Sequence, residues 1–169
     1  MIARAVAASL LCLGATATAA PAAGLLGRIV TFRGVVYDDP AHPLFDGHGA
    51  TVVVGEGVEF GLGPEGAQNA LDIVPVTVNI GADRIDMSYE HAGAGHFVEA
   101  GFNGYELRFV TSCALIEDAV IDAGTTTLPL DAIELRHSAT TLWLDVAGQA
   151  YDPTTRIGMT LDVADCPLS

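Results

Sequence analysis

Four loop aspartates are the residues of this chain whose type and spacing could hold a metal ion. Asp38 and Asp39 are adjacent in "YDDP", Asp46 lies in "FDG", and Asp152 lies in "YDPTT". Calcium takes about six to eight oxygen ligands, and carboxylates from separate loops can supply them. Because the chain has no contiguous EF-hand loop, the sequence predicts no cofactor and leaves calcium as the alternative.

The only tryptophan, Trp143, is the candidate ligand-binding residue. Alternation in "TLWLDV" places Leu142 and Leu144 on one face of a strand and Trp143 on the other. Hairpin pairing would place Glu134 on the same face as Trp143. An outward indole can stack on a sugar ring, which predicts a carbohydrate-binding surface. The alternative is an indole covered by a neighbouring segment.

The stretch "ATVVVGEGVEFGLGPEG" has the pattern of a strand leading into a phosphate-binding turn at Gly55, Gly57 and Gly61. In dinucleotide-binding folds a helix begins at such glycines and directs its amides at the phosphates. Here the residues that follow are "GLGPEGAQN", with three glycines, counting Gly61, and a proline, which does not favour a helix. Glu56 and Glu59 would also repel a phosphate. We therefore expect a strand, a tight turn and a second short strand.

The sequence lacks catalytic motifs. It contains neither Gly-x-Ser-x-Gly nor His-Glu-x-x-His, the motifs of α/β-hydrolases and zinc peptidases. The adjacent acids Glu117 and Asp118 would face opposite sides of a strand, which does not suit paired catalytic carboxylates. The loop histidines have no recognised zinc-ligand spacing: His42, His48, His91 and His96. The sequence predicts a non-enzymatic protein, and a secreted hydrolase is an alternative.

The N-terminal residues have the organisation of a secretory signal peptide. Arg4 precedes an uncharged apolar segment, and small residues follow in "ATA". We expect a Sec-type signal peptide over residues 1–19, a flexible lead-in over residues 20–27, and one domain over residues 28–169. The predicted location is secreted or periplasmic. No second segment of the sequence is long and apolar enough to span a membrane.

Two cysteines follow the signal peptide, Cys113 and Cys166. An even number of cysteines in an exported protein predicts a disulfide. In the chain-entropy model, closing a loop of this length stabilises the fold by about 4 kcal/mol.

The charge of the chain restricts its partners. The sequence has 21 acidic and 7 basic residues, every basic one an arginine, and a formal net charge of −14. Nucleic acid and anionic lipid carry the same sign and are repelled, so we expect no nucleic-acid partner. The acidic residues are spread along the chain, as in a solubilising surface. The sequence does not identify the partner; a carbohydrate and a protein of the cell envelope are the two candidates.

Alternating apolar residues dominate the chain after the signal peptide. In "RIGMTLDV", Ile157, Met159, Leu161 and Val163 share one face of a half-buried strand. Three hairpins are predicted, each with apolar residues paired across a turn: Phe102 with Tyr105 around Asn103-Gly104, Ile80 with Ile85 around residues 81–84, and Leu135 with Leu142 around Ser138-Ala139. The expected fold is a single all-β antiparallel sandwich, jelly-roll or Ig-like, of about nine to ten strands.

The order of these strands resembles a family of exported bacterial β-sandwich domains. The resemblance covers most of the chain after residue 20, and its most specific parts are "GVEF" at residues 57–60, "FNGY" at residues 102–105 and "AG" at residues 147–148. Many members carry a PEP-CTERM sorting signal. The C-terminal "DVADCPLS" departs from that signal. The resemblance implies an exported sandwich without an assigned activity, and it supplies no catalytic residues.

Overall fold

The computed structural model describes residues 24–62, 66–68 and 71–167, and all regular secondary structure in them is β. The strands are β1 (Ile29–Tyr37), β2 (Phe45–Asp46), β3 (Ala50–Val53), β4 (Val58–Gly61), β5 (Ala67–Gln68), β6 (Leu71–Asp72), β7 (Thr77–Ile80), β8 (Arg84–Ser88), β9 (Gly95–His96), β10 (Phe102–Val110), β11 (Ile116–Ile121), β12 (Glu134–His137), β13 (Thr141–Asp145), β14 (Ala150–Tyr151) and β15 (Arg156–Val163). The predicted all-β class is confirmed. The expected signal peptide, residues 1–19, lies outside the described residues.

Two antiparallel sheets form the sandwich. The first has the order β12–β13–β10–β1–β2, with β3 also paired to β1, and the second has the order β11–β15–β8–β7–β4. The pairs β9–β14 and β5–β6 are small additional sheets. At the two sides of the sandwich β11 contacts β12 and β3 contacts β4. The described part of the chain contains no helix with the length and hydrophobicity that a bilayer crossing requires.

Both sheets contribute alternate side chains to one core. On β15 Ile157, Met159 and Leu161 are buried, as predicted, while Thr160 and Asp162 are exposed. Phe32 of β1 lies between the sheets, with its ring centroid 5.2 Å from that of Phe60 on β4. Burial of such side chains drives folding at about 25 cal/mol for each Å² of apolar surface.

The predicted hairpin at Asn103-Gly104 is wrong, because β10 runs straight through these residues. Both neighbours, β1 and β13, pair with this part of the strand, and Gly104 lies opposite Asp145 of β13. A Cβ atom on Gly104 would lie 1.9 Å from the carbonyl oxygen of Leu144. Glycine is therefore required here by the close approach of another backbone rather than by a turn.

The other two hairpins form. The pairing of Ile80 with Ile85 is confirmed. In the second hairpin Leu135 pairs with Leu144 instead of Leu142. The turn is centred one residue later than predicted, on Ala139-Thr140, because the Ser138 backbone N–H donates to the Thr141 carbonyl. The shift is two residues, so every side chain keeps its predicted face.

The beginning and the end of the described chain are held together. Cys113 and Cys166 lie at disulfide distance, with their Cα atoms 6.3 Å apart. The buried Arg28 guanidinium donates to the carbonyls of Gly24, Cys166 and Pro167. Leu25, within the expected lead-in, is wholly buried. This end of the lead-in therefore packs on the domain.

An arginine on the second sheet fastens the loop that follows β11. Arg84 donates to both carboxylate oxygens of Asp86, to Asp122 at 2.7 Å and to the Thr125 hydroxyl at 2.7 Å. Gly158 makes room for it, since a Cβ there would lie 2.1 Å from the Thr125 hydroxyl oxygen. The hydrogen bond from Arg84, followed by that from the Gly124 amide, lowers the pKa of Asp122 below its ordinary value of 3.8.

This shift predicts a contribution to acid stability. A carboxyl whose pKa is lowered by folding stabilises the fold above its ordinary pKa and loses that effect as the pH falls through the folded pKa. Asp122→Asn should therefore unfold at a lower urea concentration than wild type at neutral pH. The difference should shrink as the pH is lowered from about 5 to about 2. Asp162→Asn, an exposed change on β15, is the control, and a pH-independent difference for Asp122→Asn would contradict the assignment.

Candidate functional site

A cavity opens at the end of the sandwich where β1 ends and β10 begins. Its volume is about 390 Å³, which is within the range of small-molecule sites. The inner face of the first sheet contributes Gly34 and Tyr105, which lie directly opposite each other in the β1–β10 register. Gly34 has no side chain, and a Cβ atom there would lie 3.6 Å from the Phe45 ring, which also lines the cavity.

Four aromatic residues line the cavity, Phe45 and a group of three rings in mutual contact. Phe97 is the middle one: its ring is perpendicular to that of Tyr105, with centroids 6.5 Å apart, and tilted by 54° to that of Tyr151, at 4.9 Å. Tyr151 lies on β14, which pairs with β9 so that Tyr151 faces Gly95. A Cβ atom on Gly95 would lie 2.3 Å from the Tyr151 hydroxyl oxygen, so this glycine permits the position of the ring.

The rim of the cavity combines exposed apolar side chains with a few polar groups. Leu44 and Val98 are 65% and 68% exposed. The polar lining residues are Asp72, His96 and Asn103. The Asn103 side-chain amide donates to the Val98 carbonyl at 2.8 Å and so fixes the loop before β10. In its neutral form His96 donates Nδ1–H to the Phe97 carbonyl at 2.9 Å, which leaves Nε2 as an acceptor.

Behind this wall a third tyrosine is completely buried. The Tyr89 ring stacks on Tyr151 and meets Phe97 edge-on. Burial raises the pKa of Tyr89 and of Tyr105 well above their ordinary value, so both phenols stay protonated. The Tyr105 phenol interacts electrostatically with the Tyr89 hydroxyl. That contact does not complete a well-formed hydrogen bond, and no other described atom supplies one.

The unsatisfied hydroxyl predicts an unusual response to mutation. Tyr89→Phe removes a buried hydroxyl that makes no well-formed hydrogen bond while keeping the ring, so stability should rise by about 1 kcal/mol. Tyr89→Leu, which also removes the ring contacts, should lower stability by about 2–3 kcal/mol. Urea unfolding of both variants measures these changes. A loss of stability in Tyr89→Phe would show that the hydroxyl has a partner after all.

Trp143 lies half-buried on the outer face of the first sheet, in a row of polar side chains. Its indole N–H donates to the Glu106 carboxylate at 3.0 Å. Glu106 also accepts two hydrogen bonds from Arg33 of β1, at 3.2 and 3.0 Å. Arg136 of β12 is the cross-strand partner of Trp143 on its other side. The indole is therefore held in a fixed orientation on an open sheet face.

The acid that contacts Trp143 is Glu106, whereas Glu134 lies one row further along the strand. Glu134 is opposite Asp145 and lies near Arg136, with 3.6 Å between the Arg136 Nε atom and the carboxylate. The sequence did not indicate Glu106, because the predicted hairpin at Asn103-Gly104 folded β10 back on itself. A continuous β10 brings Glu106 between β1 and β13.

The four calcium candidates each engage a local partner. The Asp38 carboxylate accepts a hydrogen bond from the Gly101 backbone amide, and the Asp39 carboxylate accepts hydrogen bonds from the Ala41 amide and the His42 ring. Asp46 forms an ion pair with Arg33, and Asp152 accepts a hydrogen bond from the Thr154 amide. The hydrogen bond from His42 lowers the pKa of Asp39, and that from the Thr154 hydroxyl lowers the pKa of Asp152. Among the described residues, no three or more histidine, cysteine, aspartate or glutamate side chains are grouped for metal binding.

The cavity was not predicted from the sequence. Tyr105 was expected in a hairpin, and no local pattern connects it to Phe97 or Tyr151. The available signal was the density of aromatic residues near glycines in "GHFVEAGFNGY". Comparisons with family models, with curated proteins and with solved structures each return no match.

Proposed function

We propose that the chain is an exported, non-catalytic binding module that takes a small, largely apolar ligand in the cavity at the end of the sandwich. The cavity carries the proposal, because its size and its aromatic wall suit the burial of one small molecule. Export is supported by the signal-peptide pattern of residues 1–19 and by the cysteine pair at disulfide distance. A periplasmic or secreted location follows from the same features.

The chemistry of the cavity supports binding over catalysis. Its described polar lining consists of one carboxylate, one imidazole and one amide, together with phenols. The high pKa of Tyr105 keeps its phenol neutral, so it acts as a hydrogen-bonding group and not as a base. The Asn103 amide already holds the Val98 carbonyl. These groups can orient a ligand. A secreted hydrolase is the alternative that the cavity supports less.

A cavity-filling variant tests this proposal. Gly34→Val places two methyl groups opposite Tyr105, where a Cβ itself has room, since its nearest atom would be 3.6 Å away on Phe45. A neutral fluorescent probe such as N-phenyl-1-naphthylamine should bind wild type at one saturable site. The variant should bind the probe about tenfold more weakly, a loss of ~1.4 kcal/mol.

Gly61→Val is the matched control for this experiment. Gly61 is also a strand glycine with room for a Cβ, which would lie 3.9 Å from Thr77, and it does not line the cavity. This variant should bind the probe like wild type, and both variants should unfold cooperatively. The proposal fails if wild type shows no saturable binding, or if Gly34→Val and Gly61→Val bind the probe equally well.

Carbohydrate binding through Trp143 is the second candidate function. It is supported by the hydrogen bond that fixes the indole to Glu106, because a pre-oriented ring loses little entropy when a sugar stacks on it. Native gels that contain soluble neutral polysaccharides should retard wild type, and Trp143→Ala should migrate as in a gel without polysaccharide. Val120→Ala, an exposed change on the second sheet, is the control. Equal retardation of Trp143→Ala and wild type would exclude this surface.

A further inference from the structure

We infer that the ligand of the end cavity is a cation, an organic ammonium ion whose alkylated head lies against Phe97, Tyr105 and Tyr151. This inference rests on the proposed function, since it names the ligand class of the same cavity. Three features of the site carry it: the arrangement of the rings, the charges around the cavity and the acceptors on its rim.

Three aromatic side chains line the cavity and differ in orientation. The Phe97 and Tyr105 rings are perpendicular and the Tyr151 ring is tilted by 54° to Phe97, so the three rings are not stacked on one another, although Tyr105 stacks on Phe32 and Tyr151 on Tyr89. The face of an aromatic ring carries negative electrostatic potential, and a cation within about 6 Å of several ring faces is attracted to all of them. An alkylated ammonium also presents methyl or methylene groups that make apolar contacts with the same rings.

The described lining of the cavity contains an acidic residue and no basic residue other than His96. Asp72 is its one charged carboxylate, and the described lining residues include no arginine. Most arginines of the domain are engaged elsewhere: Arg28 with backbone carbonyls, and Arg33, Arg84, Arg136 and Arg156 with carboxylates. An anionic ligand such as a fatty acid would therefore meet Asp72 and a chain of net charge −14 without a compensating cation.

The rim offers acceptors to a ligand that carries N–H or O–H groups. Asp72 presents a carboxylate, and the tautomer of His96 that donates Nδ1–H to the Phe97 carbonyl presents Nε2 as an acceptor. Both residues are exposed and line the same cavity as the aromatic rings. A cation with a short hydroxylated or amino substituent fits a cavity that has both aromatic and polar lining residues. Its alkylated head would lie against the rings, and its substituent would reach the acceptors at the rim.

A pair of ligands that differ only in charge tests the inference. Choline and its carbon isostere 3,3-dimethylbutan-1-ol have the same shape, and their binding can be measured by saturation-transfer NMR and by competition with the neutral naphthylamine probe. Choline should bind about threefold to tenfold more tightly than the isostere. This preference should decrease at high salt, because Asp72 is exposed.

Two variants separate the rings from the carboxylate. Tyr151→Leu should reduce the preference for choline while the neutral probe still binds. Asp72→Asn, an exposed change that removes no ring, should weaken choline binding and leave the isostere unaffected. Gly61→Val is again the control that should behave as wild type.

The outcomes distinguish this inference from the proposed function. If the neutral probe binds but the isostere binds as tightly as choline, or choline does not bind, the cation inference is overturned and the proposed function stands. If neither the probe nor choline nor its isostere binds wild type, the cation inference and the proposed function are both overturned. Retention of the choline preference in Tyr151→Leu and in Asp72→Asn would also overturn the inference.

Discussion

The pairing of β1 with β10 is the interaction on which the rest of this structure depends. The two strands are in register over their whole length, from Ile29 opposite Val110 to Tyr37 opposite Phe102. One face of this ribbon gives the core its central side chains, such as Phe32 and Leu107. The other face brings Arg33 opposite Glu106. A slip of one residue would exchange the two faces, so the core and the polar row determine the same register.

The same register creates the cavity. Gly34 and Tyr105 form one of its residue pairs, and the pair combines the smallest side chain with a large aromatic one. Interiors are normally close-packed, so an open space beside a ring requires that no neighbouring side chain fills it. The β9–β14 pair then closes the space from the other side with Tyr151 and Phe97. The cavity is thus a product of four sequence-distant segments, within residues 34–45, 72–74, 96–105 and at 151.

The sequence was sufficient for the fold class because alternation is a local property. The burial of Ile157, Met159 and Leu161 and the pairing of Ile80 with Ile85 follow from residues close together in the chain. Asn103-Gly104 shows where local reasoning fails. The pair has the strongest turn preference in the chain, but two neighbouring strands pair with β10 there, and tertiary contacts override the local preference. The residues that contact Tyr105 and Glu106 depend on whether β10 continues through Asn103-Gly104. The cavity and the polar side chains around Trp143 could therefore not be predicted.

The surplus of acid also has a different meaning in the folded chain. As a sequence property it indicates a solubilising surface. In the structure, five of the six described arginines are bound to carboxylates or to backbone carbonyls, so little positive charge is left to balance the remaining acids. The field of a concave site is set by such an imbalance, because low-dielectric walls concentrate it. An apolar cavity in such an acidic protein repels anions even without a specific repulsive contact. The aromatic wall then adds an attraction for cations. Net charge and ring geometry therefore select for the same sign of ligand, although they arise from unrelated parts of the sequence.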